Sequence, residues 1–435
     1  MLRPASPPSV SERTLPSGLR VQAARRAGVP VVELRLRIPW GGTQGGDLAR
    51  AVLLAESILS GTRSHDRVAF ASALQALGGS LTASATVERL TIGGSALSAN
   101  LEDFLALVAA ILTAPAYTAG EVERDRDRLR ERLAVAASQP DRQARNALLH
   151  RLYAGHPYSR ELPEPDEVAR VDAVAVADLH DREVEPSGAL LALVGDLDPE
   201  TALERVERAL SGWLAGGDEQ PPVPAGVTPP SVTPSGPLLL VDRPGSVQTS
   251  VRLGGAAVPR THPGYPALKL ANLLFGGYFS SRLVANLRER RGYTYSPRSG
   301  IEHAVAASTL VISADIATEV TAAGLLEIGY ELGRMATLPV EAGELEAARR
   351  YAIGSLLLST ASQSGLASML LTLGTAGLDV TFLRDHPLAL AEVSTEDVLT
   401  AAREHLAPAR LTTVLLGEAG RIADQVSALA PVDSR

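Results

Sequence analysis

The chain has 435 residues, of which 45% are hydrophobic and 21% charged, with a net charge of −8 and no cysteine. That length exceeds one ordinary domain, and the composition is that of a globular protein with sizeable cores. The acidic balance argues against nucleic acid or an anionic membrane surface as a partner, and the lack of cysteine removes disulfides, thiolate metal sites and cysteine nucleophiles.

The opening stretch, "MLRPASPPSVSERTLPSGLRV", carries prolines and charges where a signal peptide needs an apolar core. No run of 18 or more apolar residues suggests a membrane span. The expectation is a cytoplasmic protein, with a periplasmic location left open. "VVELRLRI" then alternates with the two-residue period of a strand. "GGTQGG" (41–46) is glycine-rich but lacks dinucleotide spacing, and reads as a strand-to-helix turn. "LARAVLLAESILSGT" follows as an apolar helix interrupted by one acid, Glu56, which needs a partner if it is buried. A second helix and strands come next, in "VAFASALQALGGSLTASATVERLTIGGSAL". A long amphipathic helix, "AGEVERDRDRLRERLAVAASQ", and a β run, "LLALVGDLD", complete this half.

Residues 215–236, "AGGDEQPPVPAGVTPPSVTPSG", lack periodicity and read as a solvated linker. Beyond it the same order returns. "VQTSVRLGG" is a strand, and "YPALKLANLLFGG" is an apolar helix carrying Lys269, the only lysine of the chain. The segment "SRLVANLRERRGYTYSPRSGIEHAVAASTLVISADI" supplies a helix and strands, "EAGELEAARRYAIGSLLLSTASQ" a long helix, and "LTTVLLGEA" a closing β run. Repetition of order argues for duplication of one α+β unit, with domains 1–214 and 237–435.

Familiar site patterns are missing. There is no phosphate loop of the G-x-x-x-x-G-K-[ST] type and no G-x-S-x-G elbow. The eight histidines, at 65, 150, 156, 180, 262, 303, 386 and 405, form no H-x-x-x-H or H-x-x-E-H pair that would place two imidazoles on one helix face. A sequence-local metal site is therefore not expected.

Several stretches nevertheless resemble the pitrilysin or insulinase family of zinc peptidases, the inverzincins, and most nearly its short-chain members related to the mitochondrial processing peptidase. "TLPSGLRV", "LLAESILSGT", "ALGGSLTAS", "AGHPYSR" and "LVGDLDP" resemble first-half landmarks, and "FGGYFSSRLVANLRERRGYTYS" the second-half signature. The resemblance implies two tandem α/β domains, with antiparallel-rich sheets packed by helices, closing like a clam. Catalytic members carry H-x-x-E-H on the first helix just before Gly-Thr, with a further glutamate ligand downstream. Anchored on "SGT" (60–62), the first histidine falls on Val52, the general base on Ala55, the second histidine on Glu56 and the downstream ligand on Arg132. All four functional groups are replaced, so this chain is expected to hold no zinc and to cleave no peptide alone.

The second half keeps Arg288 and Tyr295, matching the family's substrate-binding pair. Helical periodicity over 283–290, a left-handed glycine at Gly292 and a strand starting in "YTYS" would let guanidinium and phenol converge on a substrate carbonyl or carboxylate. The resemblance thus implies a zinc-less subunit that positions peptide for a zinc-bearing partner, zinc being confined to that partner. The alternative is a non-enzymatic homodimer that holds peptides. If the fold is kept, Glu56 and Arg132 should pair across the vacated metal position.

Overall fold

The computed structural model describes residues 8–40, 47–215, 227–232 and 236–434. The glycine-rich 41–46 and most of the 215–236 linker lie outside the described residues. The first-half strands are β1 (Val10–Thr14), β2 (Arg20–Arg25), β3 (Val31–Pro39), β4 (Ser80–Ala85), β5 (Arg89–Leu97) and β6 (Leu190–Gly195). Those of the second half are β7 (Leu238–Asp242), β8 (Gln248–Ala257), β9 (Arg298–His303), β10 (Ser308–Ala317), β11 (Thr412–Gly417) and β12 (Val432–Ser434). The helices that position the sites are α1 (Asp47–Ser57), α2 (Ala119–Ser138), α3 (Pro140–Leu152), α4 (Tyr265–Asn272), α5 (Thr321–Thr337), α6 (Gln363–Thr375), α7 (Phe382–Glu392) and α8 (Thr395–His405).

Each half builds one six-stranded sheet, in the orders β1-β2-β6-β3-β5-β4 and β12-β7-β11-β8-β10-β9. Five strands match one for one. A parallel pair, β2/β6 or β7/β11, is followed by three antiparallel pairings in the same sequence order. Only the outermost strand differs: β1 joins β2 antiparallel, whereas β12 joins β7 parallel. A shared five-strand topology of this kind is what duplication of one α+β unit produces.

The compact units are not single stretches of chain. One comprises residues 1–135, 161–228 and 357–384; the other comprises 136–160, 229–356 and 385–435. In the first unit, Val32, Leu34, Leu36 and Ile38 of β3 are fully buried while their alternate neighbours are half-buried. That pattern arises because α6 packs over β3 and β6 on the second face of the sheet, joining Leu366, Ala367 and Leu370 to Ala24, Ala192 and Val194. The central strand β6 is buried at every position, as a strand covered on both faces must be.

In the second unit α3 lies on β8 and β11. β8 is therefore buried along most of its length instead of showing the one-sided alternation expected of a half-exposed strand. Arg252 of β8 is 2% exposed and is satisfied by Asp141 on α3 and by Asp315 on β10, the latter at 3.1 Å. The core on the other face gathers Leu268, Phe275, Leu287, Ile312, Leu332 and Val398. Among the described residues no single helix is long and apolar enough to cross a membrane.

Candidate functional site

α1 buries Leu48, Leu53 and Leu54 and ends at Ser57, after which the chain turns sharply. Gly61 has φ +132°, and a Cβ there would stand 2.9 Å from the His65 carbonyl oxygen, so the turn requires glycine. Thr62 forms an antiparallel bridge with Pro115. These constraints fix the C-terminal end of α1 against the rest of its unit.

Here lie the residues that the resemblance aligns with the family's metal site. Val52 and Ala55 are buried, 9% and 5% exposed. Glu56 faces Arg132 of α2, with Glu56 Oε1 2.5 Å from Arg132 Nη2. The ion pair thus forms, but the acid is not deeply buried: the two side chains are 35% and 57% exposed. Water shares in solvating both charges, so the pair contributes about 0–1 kcal/mol. Two aliphatic side chains, a guanidinium and a carboxylate committed to it do not amount to the three nitrogen, sulfur or oxygen donors that zinc needs. Among the described residues, no cluster of three or more His, Asp or Glu could hold a metal ion.

The same face of α2 carries a second network that sequence reasoning missed. Glu121, Asp125, Arg128 and Arg132 recur at helical spacing and point one way. Asp125, 6% exposed, accepts hydrogen bonds from Ser60 Oγ at 2.6 Å, from Arg67 Nη2 at 2.7 Å and from Arg128 Nη2 at 3.0 Å. Arg67 also donates from Nε to Glu121 at 2.5 Å. Desolvation opposes ionisation of Glu121, but hydrogen bonds from Arg124 and Arg67 outweigh it and hold this carboxyl below its ordinary range. The network ties the turn after α1 to α2. It gave no sequence signal because its members are scattered over residues 60, 67, 121 and 125.

In the second unit, residues 282–290 begin as a short α-turn, Arg282–Val284, and widen into a π-helical turn, Ala285–Arg290. Arg291 N donates to Asn286 O and Tyr293 N to Leu287 O, closing the end around Gly292 at φ +67°. The glycine thus acts as the helix-ending residue expected of it. The strand does not begin in "YTYS": 291–297 is a bent connection, and β9 starts at Arg298 after Pro297, which has no amide proton to donate. Tyr293 and Tyr295 consequently part ways, Tyr293 packing on the core and Tyr295 standing 79% exposed.

The Arg288 guanidinium carbon lies 4.5 Å from the Tyr295 ring centre and 5.0 Å from that of Phe279, which is 67% exposed. The guanidinium thus lies over both aromatic rings in a cation–π arrangement. Arg288 Nε also lies 3.3 Å from Glu289 Oε1. Phe279 was not legible as a partner, since an aromatic nine positions upstream carries no periodic relation to Arg288.

The structure thus joins two α+β units of shared five-strand topology, with the Glu56–Arg132 ion pair on the first and an exposed arginine–aromatic stack on the second. Family models agree. The insulinase (peptidase family M16) model matches residues 50–166, and the peptidase M16 inactive domain matches residues 170–351. An uncharacterized zinc protease of Mycobacterium bovis is 26% identical over 422 residues, covering 96% of this chain and 95% of that protein. One from Mycobacterium leprae is 27% identical over 296 residues, 67% of this chain and 66%, just under two thirds, of that protein. A probable inactive metalloprotease of Bacillus subtilis is 25% identical over 279 residues, covering 59% of this chain and 63% of that protein. The crystal structure of a peptidase M16 inactive domain from Pseudomonas fluorescens superposes with a TM-score of 0.85 at 25% identity, covering 94% of this chain and 98% of that one. The chain belongs to the insulinase-like peptidase family, M16.

Proposed function

We infer that this chain is the zinc-less, non-catalytic subunit of a two-chain M16 peptidase, holding peptide for proteolysis by a zinc-bearing homologue. The observation that carries this reading is the Glu56–Arg132 ion pair at the metal position, beside buried Val52 and Ala55. With no base and no donor set, the first unit has nothing to activate water. What the chain retains suits binding. The N–H edge of Arg288 can take a peptide carbonyl or carboxylate, and Tyr295 and Phe279 offer apolar faces beside it. β4, packed against α1, is the edge of its sheet, where unpaired backbone groups can add an extended peptide strand. The role of the stack would be to orient substrate, a contribution made through proximity and not through bond-making chemistry.

The test mixes the purified chain with a zinc-bearing M16 homologue from the same organism and follows peptide cleavage. The reading expects no cleavage by this chain alone, enhanced cleavage in the mixture, and a reduced kcat/KM with Arg288→Ala. Chelator-sensitive cleavage by the isolated chain would overturn it, as would a mixture indifferent to Arg288→Ala. Recovery from the native source only as a self-associated dimer would favour the homodimeric peptide-holding alternative.

A further inference from the structure

The second unit holds a cleft of about 540 Å³ between the π-helical turn Ala285–Arg290 and α5. Clefts that take small ligands or the end of a chain run to about 300–1,000 Å³. Asn286, Arg290 and Arg291 line it from the turn and the residue after it, and Leu326, Glu327 and Tyr330 from α5. An arginine–carboxylate network runs through this lining. Asn286 Nδ2 donates to Glu327 Oε2 at 2.9 Å and to Glu331 Oε1 at 2.8 Å. Glu331, fully buried, accepts on Oε2 from Arg334 Nη1 at 3.0 Å, and Glu327 Oε1 lies 2.6 Å from Arg291 Nη2. Every oxygen of the two acids thus has a partner without Arg290. Arg290 donates from Nε to the Ala285 carbonyl oxygen at 3.2 Å, while its Nη2 stays 3.8 Å from Glu331 Oε1, beyond hydrogen-bond reach.

Three guanidinium groups therefore meet two carboxylates, and Arg290, an exposed side chain, is the one left over. Arg291 and Arg334 neutralise the two acids, so Arg290 gives the cleft a net positive charge. Leu326 and Tyr330, both exposed, put apolar surface on the α5 wall, and the Arg334 guanidinium carbon lies 5.6 Å from the Tyr330 ring centre. A free cation and apolar surface in one concavity fit a ligand whose anion and apolar group are a few bonds apart. The end of a peptide is such a ligand, because its carboxylate and its last side chain share one carbon. An internal acidic side chain carries its carboxylate at its own tip and leaves the apolar contact to a neighbour. We propose that this cleft binds the C-terminal end of a peptide, with Arg290 holding the terminal carboxylate and Leu326 and Tyr330 taking an apolar last side chain. The carboxylate gains charge-assisted hydrogen bonds from the Nη groups, which an amidated end cannot match. The inference rests on the peptide-holding reading above and gives it a second anchor, on the turn that also carries Arg288.

The test is calorimetric titration of the full chain, without any zinc-bearing homologue, with a short N-acetylated peptide ending in leucine. The peptide is used as the free acid, as the C-terminal amide, and as an amide with a glutamate before the leucine. The free acid should bind about tenfold tighter than the plain amide, the loss that follows from removing one charged hydrogen-bonding partner. Arg290→Gln should bring the acid down to the amide, and Arg290→Lys should restore part of the difference. Leu326→Ser should weaken the leucine-ending acid several-fold more than a glycine-ending one. Equal binding of acid and amide, a preference that survives Arg290→Gln, or a glutamate-bearing amide as tight as the free acid would each overturn the proposal. None of these readouts uses cleavage, so failure here leaves the two-chain reading standing, and that reading falls only with its own cleavage assay.

Discussion

Asp125→Asn separates the two charge networks on α2 by magnitude. Asp125 is 6% exposed and takes hydrogen bonds from Ser60, Arg67 and Arg128, so the substitution removes the negative charge that those donors share. Stripping the partner from a buried ion pair costs about 3–5 kcal/mol. Arg67 is 34% exposed and keeps Glu121, so water and that second acid recover part of the loss, leaving about 2–3 kcal/mol. Glu56→Gln, by contrast, breaks a half-exposed pair worth about 0–1 kcal/mol. The assay is urea unfolding followed by tryptophan fluorescence. The chain's two tryptophans, Trp40 and Trp213, are both buried in the first unit, so emission reports on that unit. A loss for Asp125→Asn no larger than that for Glu56→Gln would refute the reasoning that burial, and not ion-pair count, decides the cost.

Gly61→Ala should destabilise the first unit by about 1–3 kcal/mol in the same assay, because alanine must adopt a left-handed φ and meets the His65 carbonyl; unchanged unfolding would show that the turn can relax. In the two-chain cleavage assay Phe279→Ala should lower kcat/KM in the same direction as Arg288→Ala but less, since it removes one face of the stack, worth about 0.5–1 kcal/mol at an exposed site. A larger loss from Phe279→Ala than from Arg288→Ala would contradict that order. His303 and His386 titrate at about 4 in the folded chain against 6.5 for the unconstrained ring, both lowered chiefly by burial. Between those values the unfolded chain binds more protons than the folded one. Their contribution to stability is therefore complete above about pH 6.5 and is lost as pH falls toward 4. Hydrogen exchange of β9 and β10 peptides across that window should show the loss, and His386→Asn should reduce it to the part that His303 contributes. A flat profile in the unaltered chain would exclude neutral buried imidazoles.

Much of the fold was legible in local pattern. The two-residue period of "VVELRLRI" became β3, and the repeated order of elements became two sheets sharing a five-strand topology. What escaped depends on contacts between distant segments. "VQTSVRLGG" reads only as a strand, with nothing to show that α3 covers it, and the exchange of 136–160 and 357–384 between units leaves no mark in periodicity. At the site, the register on "SGT" was enough to bring Glu56 to Arg132 across two helices. Its depth was not legible, because exposure is set by what surrounds the end of α1, not by the apolar run that contains the acid. The "YTYS" segment misled for a related reason: aromatic spacing favours a strand, but closing the π-turn around Gly292 bends the chain until Pro297.

The central claim is that this chain cannot hold the family's metal. Its most direct test is metal analysis of the purified chain after equilibration with excess zinc and removal of the unbound ion. The geometry of Val52, Ala55, Glu56 and Arg132 predicts zinc far below one ion per chain, unaltered by Glu56→Gln. One tightly held zinc per chain, lost with Glu56→Gln, would contradict it.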